Sequence, residues 1–354
     1  MNFKIGNKEI GKNTKPYFIA DIAANHDGDL GRAYRLIELA KEAGADAAKF
    51  QNFKAPTIVS KKGFENMGGQ LSHQSSWKKS VFDVYADASI PDDWSRLLKE
   101  KCDAADIEYM TSPYDFDSVD HANHYVNCFK VGSGDITWIE IIEYIAKKGK
   151  PVLLATGASD IEDVKRAYEA VKAINGQIVL FQCNTNYTAS EENFKYINLN
   201  VLKQYADLFP DAVLGLSDHT HGHATVLGAV TLGARVIEKH FTDDNDREGP
   251  DHKFSMTPAT WKEMVTEANR LFMALGDGVK KIEENEADTA KVQRRALYFN
   301  KDLKKGHVLT KEDLFPLRPI NPGELPPYCI DELVGKVLNS DILKDTPVKE
   351  ESFQ

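Results

Sequence analysis

The feature that most constrains this chain is a regular alternation of short apolar runs with amphipathic segments through its first three-quarters. The candidate strands are PYFIADIA (16–23), ADAAKFQ (45–51), IEYMTS (107–112), VNCFKVG (126–132), PVLLATG (151–157), QIVLFQCN (177–184), AVLGLSDH (212–219) and ARVIEKHF (234–241). Between them the pattern is helical. It is clearest at 160–174, where Ile161, Val164, Tyr168 and Val171 share a face and Asn175-Gly176 supplies the stop. Thr137 with Glu140 predicts a capping box for the helix after the fourth strand. Eight strands alternating with helices in under about 280 residues predict an α/β chain folded as a (β/α)8 TIM barrel, with a doubly wound open sheet as the competing arrangement.

Two stretches depart from the alternation. The segment between the second and third strands is long and contains MGGQLSHQSSWKK (67–79), which reads as a lid or substrate loop or as a surface excursion. Past residue 277 the texture changes to GVKKIEENEADTAKVQRR, charged and poor in aromatics, and then to a compact tail with turn signals at Lys305-Gly306 and Pro322-Gly323. The expected division is a catalytic barrel over 1–278, a partly helical linker over 279–293 and a small domain over 294–354. A tail of about 60 residues folds only marginally by itself.

Composition narrows the setting. The 42% hydrophobic content suffices for a large core, yet no run approaches the length that spans a bilayer. The start MNFKIGNKEIGKNTK lacks the apolar stretch of a secretory signal, and the four cysteines have no paired spacing; together these predict a cytoplasmic protein. A net charge of −10 without a dense Lys/Arg run argues against nucleic acid or membrane as partner. It does not exclude an anionic small molecule, which a few buried lysines and backbone N–H groups hold locally.

Barrel enzymes place their chemistry at the C-terminal ends of the strands. Read to its end, each candidate strand offers polar groups: Asp21, then Lys49 and Gln51, Ser112, Lys130 with Ser133 and Asp135, Thr156, Tyr187 just past Cys183, Ser217 with His219, and His240. A structural strand end needs no charge, so this gathering points to a site. Neighbouring strands lie about 4.8 Å apart, which brings His219 and His240 within reach of one divalent metal with open positions. A pair of hydrogen-bonded core histidines fits the same spacing. His221 and His223 fall in a loop, because Gly222 and ATVLGAVTLGA end the strand. Lys49 and Lys130, with helix starts after Ser133-Gly134-Asp135 and Thr156-Gly157, fit an anionic and phosphorylated ligand.

The segments FIADIAANHDGDL (18–30), AGADAAKFQ (43–51), FKVGSGD (129–135), LLATG (153–157), GLSDHT (215–220) and EKHFTDDNDREGPDHKFSM (238–256) resemble the sialic acid synthase family. The resemblance covers nearly the whole chain, a catalytic barrel followed by an antifreeze-like (SAF) domain that KDLKKGHVLTKEDL and LRPINPGE resemble. It implies a nonulosonic acid synthase that condenses phosphoenolpyruvate with an N-acetylmannosamine-like aldehyde and releases phosphate. The alternative acceptor is a diacetamido-trideoxyhexose, as in pseudaminic or legionaminic acid synthases. Two other classes remain, a metal-dependent pyruvate aldolase and a non-catalytic sugar-binding relative.

By motif position the resemblance implies that His219 and His240 bind a divalent metal, Mn²⁺ or Mg²⁺ first. Lys49, Ser112, Lys130, Ser133 and Ser217 would hold phosphoenolpyruvate, and Gln51, Tyr187 and Asp251 would contact the sugar. Arg318 would reach across a domain-swapped homodimer into the partner's site. Asp21 and Asp135, the expected catalytic acids, stand where the family usually has glutamate. Ala155 replaces a serine, and Thr188 a proline after Tyr187, while WKKSVFDVYADASIPDDW (77–94) is similar to pseudaminic acid synthases. These departures fall on the sugar side.

Overall fold

A computed structural model describes the protein at every residue except 1, 72, 73 and 76. It divides into two compact units, Met1–Gly276 and Asp277–Gln354. In the first, the predicted strands form as β1 (Tyr17–Asp21), β2 (Ala47–Asn52), β3 (Glu108–Pro113), β4 (Phe129–Val131), β5 (Val152–Ala155), β6 (Ile178–Cys183), β7 (Val213–Asp218) and β8 (Val236–His240). Their order is β3-β2-β1-β8-β7-β6-β5-β4, with parallel ladders throughout. Because β1 pairs with β8 as well as β2, the alternation curls into a ring, and β3 and β4 adjoin across the one gap without a ladder. The chain is therefore a TIM-like barrel and not an open sheet.

Strand side chains alternate between the two faces of a sheet. The outward set, including Phe18, Ala20, Phe50, Leu154, Leu180 and Ile237, packs under the surrounding helices. The inward set, including Ile19, Ala47, Met110, Leu153, Phe181 and Val236, fills the lower barrel together with Phe3, Ile5 and Ile10. Those three come from a hairpin, Phe3–Ile5 with Lys8–Ile10. The barrel interior is thus a packed core, and only its C-terminal end is left for chemistry.

The helix predicted at 160–174 spans Ile161–Lys172, and Asp160 caps it by accepting from the Glu162 and Asp163 amides. The predicted capping box at Thr137 and Glu140 is absent. That helix runs Ile139–Ala146 from Trp138 with no side-chain cap. A 3-10 turn at Ser133–Asp135 precedes it, and Trp138 packs edge-on against Phe116 at 5.4 Å, so ring packing sets the entry of the chain. The predicted lid segment, 67–79, falls partly outside the described residues. Its flanks form short helices, Lys61–Asn66 and Val81–Ala88.

The second unit has its own core of Leu297, Phe299, Leu309, Leu314, Leu338 and Val348. Within it β9 (Ala296–Phe299) pairs antiparallel with β10 (Leu314–Leu317). The stretch expected as a linker carries a helix, Ala287–Gln293, and the Ile320 amide donates to the Lys291 carbonyl at 3.0 Å. Among the described residues no helix is long and apolar enough to cross a membrane.

Candidate active site

Reading each inward-facing row upward shows where the core stops. Tyr17-Ile19 gives way to Asp21, Ala47 to Lys49 and Gln51, Met110 to Ser112, and Cys128 to Lys130. On the other side of the ring Val213-Gly215 leads to Ser217, and Val236 leads to Glu238 and His240. A two-residue period thus lifts a layer of polar groups onto the apolar plug.

The layer is tightly paired. Lys49 Nζ donates to Asp21 Oδ2 at 2.5 Å and lies 3.8 Å from Glu238 Oε2. Lys130 Nζ is 3.4 Å from Glu238 Oε1, which accepts from the Ser217 hydroxyl at 3.0 Å. Two cations and two anions therefore share a desolvated centre, where an unpaired member would be costly. Burial pushes the Asp21 carboxyl up against the pull of Lys49. Burial acts on Glu238 too, but Lys130 and Lys49 overcome it and hold that acid down to about 2. Glu238 is a fixed anion, and Asp21 is the readier of the two to hold a proton.

The two histidines stand over this layer with ring centroids 5.3 Å apart. His219 turns Nδ1 to the Asn184 carbonyl at 2.8 Å, which leaves Nε2 for another partner. Nδ1 of His240 is buried with no hydrogen-bond partner among the described residues, and Nε2 is 3.6 Å from Asp21 Oδ2. Burial depresses both imidazoles, His219 to about 3 and His240 to about 4, so both are neutral at physiological pH. Neutral nitrogens with a buried lone pair unspent suit a divalent cation. Among the described residues no set of three or more His, Cys, Asp or Glu side chains is arranged to hold an ion. Two protein nitrogens would leave the remaining positions to water and substrate.

Beside His240 opens a cavity of about 160 Å³ that Gln51, Tyr187 and Asp251 help to line. The Tyr187 ring stacks edge-on against His219 at 4.3 Å. Asp251 Oδ2 accepts from the Ala24 amide at 3.2 Å, and burial raises its carboxyl against the pull of His240. The lining also includes Phe53, Trp77, and Val84, Tyr85 and Ala88 from the helix Val81–Ala88. Trp77 places the end of the predicted lid segment at the cavity.

Asp135 lies in the 3-10 turn after β4. A Cβ on Gly132 would stand 3.2 Å from the Tyr114 hydroxyl and 3.6 Å from Asp135 Oδ2, so the acid and this cavity-lining tyrosine are neighbours. Burial lifts the Asp135 carboxyl to about 6, with Lys130 opposing.

Other sequence candidates are placed less directly. Ser133 accepts at Oγ from the Gly157 amide at 2.9 Å, and Ser112 is buried at the end of β3 opposite Gln51. Thr156 donates to the Phe181 carbonyl at 2.8 Å and meets the Tyr205 hydroxyl, so its side chain is engaged within the barrel wall. His221 and His223 follow the end of β7 as expected, His221 meeting the Ala189 carbonyl at 3.0 Å. Arg318 lies in the second unit, immediately before a cis bond to Pro319.

Sequence reasoning missed Glu238, although its position two residues before His240 on β8 carried the signal. It also missed the outward pair Asp218 and Lys239. These two bond to each other, and Asp218 Oδ2 accepts from the hydroxyls of Thr220 at 2.8 Å and Thr225 at 2.7 Å. The Lys239 ammonium also donates to the Thr220 carbonyl at 2.6 Å, so the segments carrying His219 and His240 are tied together from behind.

Comparison with known proteins shows the family of the chain. A family model described as the NeuB family matches residues 36–280, and one for the SAF domain matches residues 294–354. The N,N'-diacetyllegionaminic acid synthase of Campylobacter jejuni is 35% identical over 95% of this chain and 99% of its own length. The N-acetylneuraminate-9-phosphate synthase of Homo sapiens is 32% identical over 97% of this chain and 94% of its own. A crystal structure of N-acetylneuraminic acid synthetase from Leptospira borgpetersenii, in complex with citrate, superposes with a TM-score of 0.72 at 27% identity. It covers 82% of this chain and 95% of that one.

Proposed function

The chain belongs to the NeuB family and carries a SAF domain, and from that premise we propose that it condenses phosphoenolpyruvate with the aldehyde of an acetamido sugar to form a nonulosonic acid. The observation that carries the reading is the polar layer capping the barrel core, in which Lys49 and Lys130 are paired with buried acids, His219 adjoins His240, and His240 lines the cavity.

Lys49 and Lys130 neutralise the phosphate and carboxylate of the enol substrate. Before it enters, Asp21 and Glu238 hold both side-chain nitrogens in place. His219 and His240 would hold a divalent cation, Mn²⁺ or Mg²⁺, which when bound would polarise the aldehyde oxygen. C3 of phosphoenolpyruvate bonds to the aldehyde carbon, water adds at C2, and phosphate leaves by cleavage of its C–O bond. Asp135 is the better acceptor for the proton of that water: its carboxyl sits near 6 and makes no ion pair among the described residues, while Asp21 is engaged by Lys49.

For the acceptor, the apolar side chains of Phe53, Val84 and Ala88 within the cavity lining support a diacetamido-trideoxyhexose over N-acetylmannosamine. A hydroxyl pressed against such side chains loses its hydrogen bonds to water. The relative named as a legionaminic acid synthase points the same way. His219→Ala is expected to abolish both divalent-ion binding, measured by calorimetry, and phosphate release. Full turnover by metal-stripped His219→Ala would contradict the scheme.

A further inference from the structure

Two loops from opposite ends of the first unit's sequence meet at one carboxylate. The loop after β1 passes through Asp27, which has left-handed backbone at φ 53°. Its Oδ1 accepts from His252 Nε2 at 2.9 Å, and its Oδ2 accepts from Arg247 Nε at 2.9 Å. Arg32 approaches the same Oδ2 at 3.1 Å and forks onto Asp243 at 2.6 and 2.9 Å. His252, Arg247 and Asp243 all belong to the loop after β8. His252 is fully buried, and its second nitrogen meets the Thr242 hydroxyl at 2.8 Å. The backbone at Gly249 passes so near that a Cβ there would lie 2.6 Å from His252 Cδ2 and 3.5 Å from Asp27 Oδ1.

Asp251 sits in this loop between Gly249 and His252, facing the cavity. Among the described residues its carboxylate accepts one modest bond, from the Ala24 amide at 3.2 Å, while its backbone carbonyl accepts from the Ser255 hydroxyl at 2.6 Å. The Ala24 contact alone gives little hold on a desolvated acid, and the bonds to Asp27 are of the stronger, charge-assisted kind. We propose that the Asp27–His252–Arg247 cluster is a latch that sets Asp251 in the acceptor pocket, which makes Asp27 and His252 positioning residues for the sugar. The inference rests on reading the cavity as the acceptor site.

Asp27→Asn tests it cleanly, because asparagine tolerates left-handed backbone while placing an N–H donor against His252 or Arg247. In the full-length protein, the acceptor KM should rise at least about tenfold, the loss of one charge-assisted bond, with the phosphoenolpyruvate KM held within about twofold. His252→Asn should act in the same direction. In an Asp251→Asn background, Asp27→Asn should add less than about twofold, since its effect runs through Asp251. Hydrogen exchange should quicken in residues 22–30 and 243–256 of Asp27→Asn and stay unchanged in β4 and β5. An unchanged acceptor KM, an equal rise in both KM values, or additive effects in the double variant would overturn the proposal. Should the wild type form no product with any acceptor, the reading of the cavity falls, and the exchange measurement alone decides the latch: no local quickening refutes it.

Discussion

Asp135 shows most sharply how one residue trades stability for reactivity. Burial lifts its carboxyl to about 6 in the folded chain, whereas an aspartate in the unfolded chain ionises near about 3.9. The folded state therefore binds this proton more tightly. Its contribution to stability is full below the unfolded value and is lost as pH rises through about 6. Asp135→Asn is expected to melt higher than wild type at about pH 7.5 and nearly level with it at about pH 4, while turnover falls by about 10²-fold or more. Wild-type kcat/KM should show an acid limb near the same pKa. A melting difference independent of pH would remove the basis for giving Asp135 the proton.

At the scale of the element, the strands carried most of the legible information. Every predicted strand formed, β2 and β3 running one residue past their expected ends and the other six within their bounds, because buried parallel strands announce themselves as short apolar runs between turns. The strand-end lysines and histidines were legible for the same reason. Glu238, one step down β8 from His240, was not, since reading only the ends ignores the inward period beneath them. Asp27 and His252 were invisible as a pair because they meet across 225 residues. The capping box at Thr137 and Glu140 failed because tertiary packing of Trp138 set the helix start instead of a side-chain cap.

Strand packing also makes its own prediction. A Cβ on Gly215 would stand 2.6 Å from the Phe181 ring and 2.8 Å from the Val236 carbonyl. The ring can shift, but the β8 backbone cannot without opening its ladder to β7. Gly215→Ala should cost about 1–3 kcal/mol in denaturant unfolding. No loss of stability would mean the barrel interior has slack there. The Asp218–Lys239 pair behind the histidines is buried almost completely, so Lys239→Met should cost about 3–5 kcal/mol by leaving Asp218 unpaired and should also weaken divalent-ion binding. Normal ion affinity in a folded Lys239→Met protein would show that the pair does not position the histidines.

At the scale of the whole molecule, each unit has its own polar anchor. In the second unit Asp313 is buried and accepts from His307 Nε2 at 2.8 Å, from the Thr310 amide at 2.8 Å and from Lys301 Nζ at 2.6 Å. Burial alone would raise this carboxyl, but Lys301 and His307 hold it well below the usual range. The stability it contributes is present above the unfolded pKa and is lost as pH falls toward the depressed folded value. Calorimetry between about pH 5 and pH 3 should show the second unit weakening, and Asp313→Asn should flatten that dependence. An equal acid response in the variant would place the sensitivity elsewhere. The activity of the first unit's polar layer is tested most directly by incubating the full chain, Mn²⁺ and phosphoenolpyruvate with diacetamido-trideoxyhexose and N-acetylmannosamine in parallel, following phosphate release and product mass. The account predicts one phosphate per nonulosonic acid formed, with the diacetamido sugar preferred. Acceptor-independent phosphate release, or product made from pyruvate without any, would contradict it.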